Sequence, residues 1–359
     1  MSIMPIEHIA DWEKRLARQD AVWHNEILDR PVVWISFPKK KEVIPWPKEK
    51  TYRAVRDRWM DFQNTAAQTT ARAMNTEWLG DALPTAWPNL GPEVFPAFFG
   101  QELEFSEGTS WSIPILHDWK DIDKVRFSRD NFYYKKMMEL TKTLLEAGKG
   151  KYYTGLTDFH PGGDCIAAWR DPQNLAIDMI DHVDDVKRAL AYVDQVYYEV
   201  YNDFYNLLKA NGQAITTWAG YVSTKKWYVP SNDFSCMISK QMFDDVFLPG
   251  IAAECRFYEA SIYHLDGPGA LQHLDSLLSI PELNAIQWVY GAGHGRATDW
   301  LHVYKRIQAA GKGIQIWAQP DEVDTIIENL RPQGVWLGIN GLTSVEEAET
   351  FIKKVTKWR

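Results

Sequence analysis

A histidine and an aspartate stand two residues apart in Ser261-Ile262-Tyr263-His264-Leu265-Asp266-Gly267-Pro268-Gly269, where an apolar run of β character gives way to a Gly-Pro-Gly turn. Side chains two apart on an extended chain share one face, so His264 and Asp266 converge on one ligand, proton or metal ion at the end of a strand. The structural alternative is a satisfied loop histidine beside an aspartate that caps a helix starting near Gly269. A second group, Asp158-Phe159-His160-Pro161-Gly162-Gly163-Asp164, sets three titratable side chains around a Pro-Gly-Gly bend, where backbone can approach a ligand closely. Its structural reading is a turn, with Asp158 binding loop amides and Asp164 capping the next helix. His294 lies in Gly291-Ala292-Gly293-His294-Gly295, whose spacing is not that of a dinucleotide fingerprint. It reads as an exposed loop histidine or as a contact to an anionic ligand.

The composition bounds the classes. With 45% hydrophobic and 24% charged residues over 359 positions, the chain is an ordinary globular protein with a sizeable core. Its 17 Trp, 16 Tyr and 15 Phe are unusual, and they read as core filler or as the wall of an aromatic cavity. A net charge of -9, with Lys39-Lys40-Lys41 as the one basic run, argues against a nucleic-acid partner. No apolar stretch reaches the roughly 18 to 20 residues of a membrane span, and the first twenty residues are charged and amphipathic, unlike a signal peptide. Cys165, Cys236 and Cys255 are scattered without a CxxC spacing. A cytoplasmic, reduced protein is expected.

These side chains need a scaffold. Short apolar runs of β character recur at 32–36, 82–86, 152–157, 214–218, 260–263, 285–290, 313–318 and 335–339, each followed by turn residues and a helical pattern. The clearest helix spans 184–210, with Val186, Leu190, Val193, Tyr197, Val200, Phe204 and Leu207 on one face and Asn211-Gly212 as its stop. About eight β-then-α units predict an α/β fold, a single (β/α)8 TIM barrel over 1–359, with an N-terminal helical extension over about 1–30. The later units are tightly spaced and the early ones are not, so extended early loops rich in Trp, Pro and Gly are expected to roof one mouth. Catalytic groups of such barrels sit at the strand carboxyl ends. That rule selects Asp158, His160, His264 and Asp266 as catalytic candidates, with Trp87, Trp218, Tyr263, Gln319, Asn340 and His294 placed to bind substrate.

The stretches Met237-Ile238-Ser239 to Leu248-Pro249, Tyr263-His264-Leu265-Asp266-Gly267, Gln319-Pro320 and Gly338-Ile339-Asn340-Gly341-Leu342 resemble the uroporphyrinogen decarboxylase superfamily. The nearer branch is that of the corrinoid-linked methyltransferases of the methylcobalamin:coenzyme M methyltransferase type. The resemblance covers roughly residues 150 to 355 and implies the barrel. In zinc-dependent members a His-x-Cys-Gly motif and a later cysteine hold the ion. The matching positions here are His264, Asp266 and Asn340, so both thiolates are replaced. That weakens the case for zinc and for a coenzyme M type reaction, and leaves His264 and Asp266 as ligands for a harder divalent ion, or no ion. The arginine-rich stretch that grips propionates in true porphyrinogen decarboxylases is also missing after the first strand, where Ser36-Phe37-Pro38-Lys39-Lys40-Lys41 stands.

The resemblance implies a methyltransferase that moves a methyl group between a small molecule and a corrinoid, a cobalamin-type cofactor acting as co-substrate or carried on a partner protein. Indole faces would suit a quaternary-ammonium donor. The alternatives are a decarboxylase or other lyase acting on a small carboxylic acid, and a non-catalytic ligand-binding barrel. A small-molecule substrate, a corrinoid protein and a second copy of the chain are the partners this reading admits.

Overall fold

The computed structural model describes residues 2–359. The strands are β1 (Val32–Pro38), β2 (Thr76–Gly80), β3 (Thr85–Ala86), β4 (Leu103–Phe105), β5 (Ser110–Ser112), β6 (Tyr153–Thr154), β7 (Ile215–Thr216), β8 (Val222–Ser223), β9 (Trp227–Tyr228), β10 (Ala260–Asp266), β11 (Ala285–Val289), β12 (Gly313–Ala318) and β13 (Val335–Ile339). Seven of them make one sheet in the order β2-β1-β13-β12-β11-β10-β9. It is parallel throughout except where β2 runs antiparallel to β1. Its inner strands are nearly continuous apolar runs, all of β13 being buried, as a parallel sheet covered on both faces requires.

The early runs contribute less strand than their sequence suggests. The apolar stretches at 82–86, 152–157 and 214–218 reduce to two-residue pairings in β3, β6 and β7. These still lie side by side: β3 pairs with β6 in parallel, and Leu156 N–H donates to the Thr216 carbonyl at 2.9 Å. Gly155 permits that approach, because a Cβ there would meet the Thr216 carbonyl oxygen at 2.5 Å. The architecture is thus mixed α/β around a mostly parallel sheet of seven strands, with three further two-stranded pieces.

The long helix Val183–Ala210 buries Val186, Leu190, Val193, Tyr197, Val200 and Phe204 on the expected face. At its end Leu208, not Leu207, is the buried residue. The helix closes before Gly212, whose φ of +67° lies in the left-handed region. Among the described residues, no helix is long and apolar enough to cross a membrane.

The N-terminal segment is more than an appendage. Ile6, Ile9 and Leu16 pack against Leu83, Tyr153 and Ala214, which stand at or just before the starts of β3, β6 and β7. This segment therefore covers the starts of those three strands. It is fixed by a buried ion cluster: the fully buried Asp81 carboxylate accepts from Arg18 at 3.0 Å, from Arg30 at 2.5 and 2.9 Å, and from Val33 N–H at 2.9 Å. Removing the carboxylate leaves the buried Arg30 guanidinium without a counter-charge, while Arg18 keeps its pair with Asp29 at 2.6 and 2.8 Å; stranding one member of a comparable buried pair costs about 3–5 kcal/mol. Asp81→Ala is expected to lower the unfolding free energy by that amount in urea titrations. A loss below about 1 kcal/mol, the scale of an exposed pair, would contradict the assignment.

Candidate functional site

His264 is positioned by strand register. The Cα partners across three adjacent parallel strands are His264 with Gln287 on β11 and Gln287 with Gln315 on β12, so the three side chains share a face. They form a hydrogen-bonded chain. Gln315 Nε2 donates to the Ala219 carbonyl at 2.7 Å, Gln287 Nε2 donates to Gln315 Oε1 at 2.5 Å, and Gln287 Oε1 lies 2.5 Å from His264 Nδ1. A backbone carbonyl only accepts, so Ala219 fixes the direction of both amides and leaves Gln287 Oε1 as an acceptor. His264 Nδ1 must then carry the proton, and in the neutral ring Nε2 keeps its lone pair. Trp218 meets the imidazole edge-on, with ring centroids 5.0 Å apart.

That lone pair faces Asp233, whose Oδ1 is 4.0 Å from His264 Nε2 and is buried without a hydrogen-bond partner. His264 N–H donates to the Pro230 carbonyl at 2.9 Å and Ser231 bridges to His264, so the chain after β9 runs beside β10 and turns over its end. The turn is held by Asp164, which accepts from Asp233 N–H at 3.1 Å, Phe234 N–H at 2.9 Å and Ser231 Oγ at 3.3 Å. Asp164 lies in the first turn of the helix Gly162–Arg170 without acting as its N-cap. Gly163 lets helix and turn meet, since a Cβ there would stand 2.7 Å from Asn232 Oδ1.

His160 completes the arrangement. Its Nε2 is 2.9 Å from Asp158 Oδ1, an ion-pair contact outside hydrogen-bond geometry, and its Nδ1 is 3.8 Å from Asp164 Oδ2. Burial pushes the imidazole pKa down, but the carboxylates of Asp158, Asp164 and Asp233 outweigh it and lift it to about 10. Burial and the neighbouring Asp233 raise Asp164 to about 6 against the opposing pull of His160 and two backbone amides. Two groups of candidate metal ligands result, His160 with Asp164 and Asp233, and Asp233 with His264 and Asp266; within each, the ligand atoms lie within 4.8 Å of one another. Asp266 is exposed at the end of β10, and the helical turn Pro268–His273 that follows has no side-chain cap, so the capping role is not realised.

A cavity of about 300 Å³ opens beside His160, Asp164 and Asp233, and its other walls include Pro92, Pro96 and Met237. The early insertion 87–119 thus reaches this cavity through prolines. Apart from Trp218, the indoles lie elsewhere: Trp34 meets Trp78, Trp317 and Trp336, while Trp46 and Trp111 are exposed. Of the remaining expected substrate contacts, Trp87 is half-buried after β3, and Tyr263 is buried on the face of β10 opposite to His264. Gln319, Asn340 and His294 are exposed in the turns after β12, β13 and β11. Sequence reading assigned no role to Asp233, Gln287 or Gln315. The two glutamines left a signal, each a lone amide in the middle of an apolar strand, whereas Asp233 left none.

No family model matches the chain, and no match was found among curated proteins. Among solved structures the chain is similar to a methyltransferase from Methanosarcina mazei, with a TM-score of 0.60 and 12% identity over 95% of this chain and 98% of that one. The shared property is the fold along nearly the whole length of both chains.

The charge around His160 has a measurable consequence. Its folded value of about 10 lies above the ordinary 6.5, so its contribution to stability is fully present below pH 6.5 and is lost as pH rises to about 10. In EDTA-treated protein, the unfolding free energy of the wild type is expected to fall through that window more steeply than that of His160→Gln. Parallel pH curves for the two would show that the carboxylates do not hold the imidazolium.

Proposed function

We propose that the chain is a methyltransferase of the corrinoid-linked type, moving a methyl group between a heteroatom of a small molecule and a corrinoid on a partner protein. The observation that carries this reading is the convergence of His264, Asp233 and Asp266 over the carboxyl end of β10, in a chain whose fold is like that of a methyltransferase. The reading takes the seven-stranded sheet and the β3, β6 and β7 pieces as arcs of one (β/α)8 barrel forming a single cytoplasmic domain. The corrinoid protein would dock over the strand ends.

His264, Asp233 and Asp266 would hold a divalent ion. The site fits one in its donor set, in the bare Nε2 of His264 and in the unpartnered Oδ1 of Asp233. When bound, such an ion supplies Lewis-acid polarisation of the heteroatom that gains or loses the methyl group. Two carboxylates and an imidazole with no thiolate favour a hard or borderline ion and an oxygen or nitrogen substrate over a thiol. The glutamine ladder keeps the His264 ring from rotating, which is the usual work of outer partners around a ligating histidine. With no ion bound, Asp266, exposed at the rim, would instead exchange a proton with the heteroatom. His160, charged between carboxylates, is a fixed proton donor beside the cavity, and this favours a lyase acting on a small acid as the second reading.

Transfer between methylcobalamin and small phenols, alcohols or amines can be followed by the corrinoid absorbance. His264→Ala is expected to slow transfer about a hundredfold or more at equal folded fraction. Equal rates would remove His264 from the reaction. Absence of transfer by the wild type, with carbon dioxide released from a carboxylic acid, would establish the lyase instead.

A further inference from the structure

We propose that this site takes a pair of divalent ions bridged by Asp233: one at His264, Asp233 and Asp266, and a second at His160, Asp164 and Asp233. The first ion rests on the reading above, and the second is independent of the chemistry assigned to it. Asp233 belongs to both groups of converging ligand atoms. The separations within them, 4.0 Å from His264 Nε2 to Asp233 Oδ1 and 3.8 Å from His160 Nδ1 to Asp164 Oδ2, are too long for hydrogen bonds. They match two donors on one ion, since metal–ligand distances of about 2.0–2.2 Å put neighbouring donors roughly 3 to 4 Å apart.

Each histidine has one nitrogen engaged from outside and the other turned inward. Gln287 occupies His264 Nδ1 and leaves Nε2 toward Asp233, and Asp158 stands against His160 Nε2 and leaves Nδ1 toward Asp164. A ligating histidine normally has such a partner on its far nitrogen. The charge balance points the same way. Asp158, Asp164 and Asp233 surround His160, Asp233 and Asp266 stand beside His264, and among the described residues none of the four pairs with a lysine or an arginine. In the second position the ion takes the place of the proton on His160 Nδ1, which leaves to solvent, and a carboxylate shared between two ions offers one oxygen to each.

The test uses the full-length protein stripped with EDTA, loaded with Zn²⁺ or Mn²⁺, desalted and analysed for metal per chain, with circular dichroism as a check on folding. Two ions are expected for the wild type, one each for His160→Ala and His264→Ala, and none held tightly by Asp233→Ala. Should His160→Ala fail to fold, Asp158→Asn and the Mn²⁺ spectrum replace it: the spin-coupled signal of a manganese pair is expected in the wild type, weakened in the variant. One ion per chain that survives in His160→Ala and is lost in His264→Ala overturns the pair and leaves the proposed function standing. No ion in the wild type overturns both, whereas an uncoupled Mn²⁺ spectrum overturns the pair alone.

Discussion

The Ala219 carbonyl, through two glutamines, decides which nitrogen of His264 is free. A carbonyl oxygen can only accept, and each amide has one donating and one accepting end, so the direction set at Ala219 passes unchanged through Gln315 and Gln287 to the imidazole. The chain exists because β10, β11 and β12 are parallel and in register, which places His264, Gln287 and Gln315 side by side on one face. A register slip of one residue on any of the three would turn its side chain to the opposite face. The sheet is therefore the device that orients the ring, and the buried amides stay in place because each finds its partner.

The second constraint is carboxylate crowding. Asp164 is spent on backbone amides of the 231–234 turn, and that bond brings Asp233 over the strand end, within reach of both histidines. Burial and repulsion from Asp233 push Asp164 up, while attraction to Asp158, Asp164 and Asp233 outweighs the cost of burial and holds His160 in its charged form. Such a site is costly for a merely structural turn and suited to one that receives cations. The Asp81 cluster shows the contrasting solution elsewhere in the molecule, where guanidinium groups balance the charge outright.

Much of the frame was legible in the sequence. The runs at 260–263, 285–290, 313–318 and 335–339 correspond to β10 to β13 because long, buried parallel strands leave continuous apolar stretches with turn residues after them. β2 was missed: Thr76-Glu77-Trp78-Leu79-Gly80 follows a helix directly and lacks a β-branched alternation, and its pairing to β1 comes from tertiary contact. β9, with two residues, is below what periodicity can detect. In the site, Asp158, His160, His264 and Asp266 were recognisable as polar groups at strand ends. Asp233 was not, since its place depends on the long-range bonds that fold its turn onto Asp164. The abundance of tryptophan read as core filler or as an aromatic wall, and the indoles gather mainly in the core, while prolines and Phe234 line the cavity.

The orientation of His264 can be read directly from ¹⁵N spectra of histidine-labelled, metal-free protein at mildly alkaline pH, with its signals assigned by their loss in His264→Gln. The expected spectrum shows a protonated Nδ1 and a bare Nε2, and the preference relaxes toward a mixture when Gln315→Leu breaks the anchor to Ala219. A ring protonated at Nε2 in the wild type would contradict the ladder and, with it, the site built upon it.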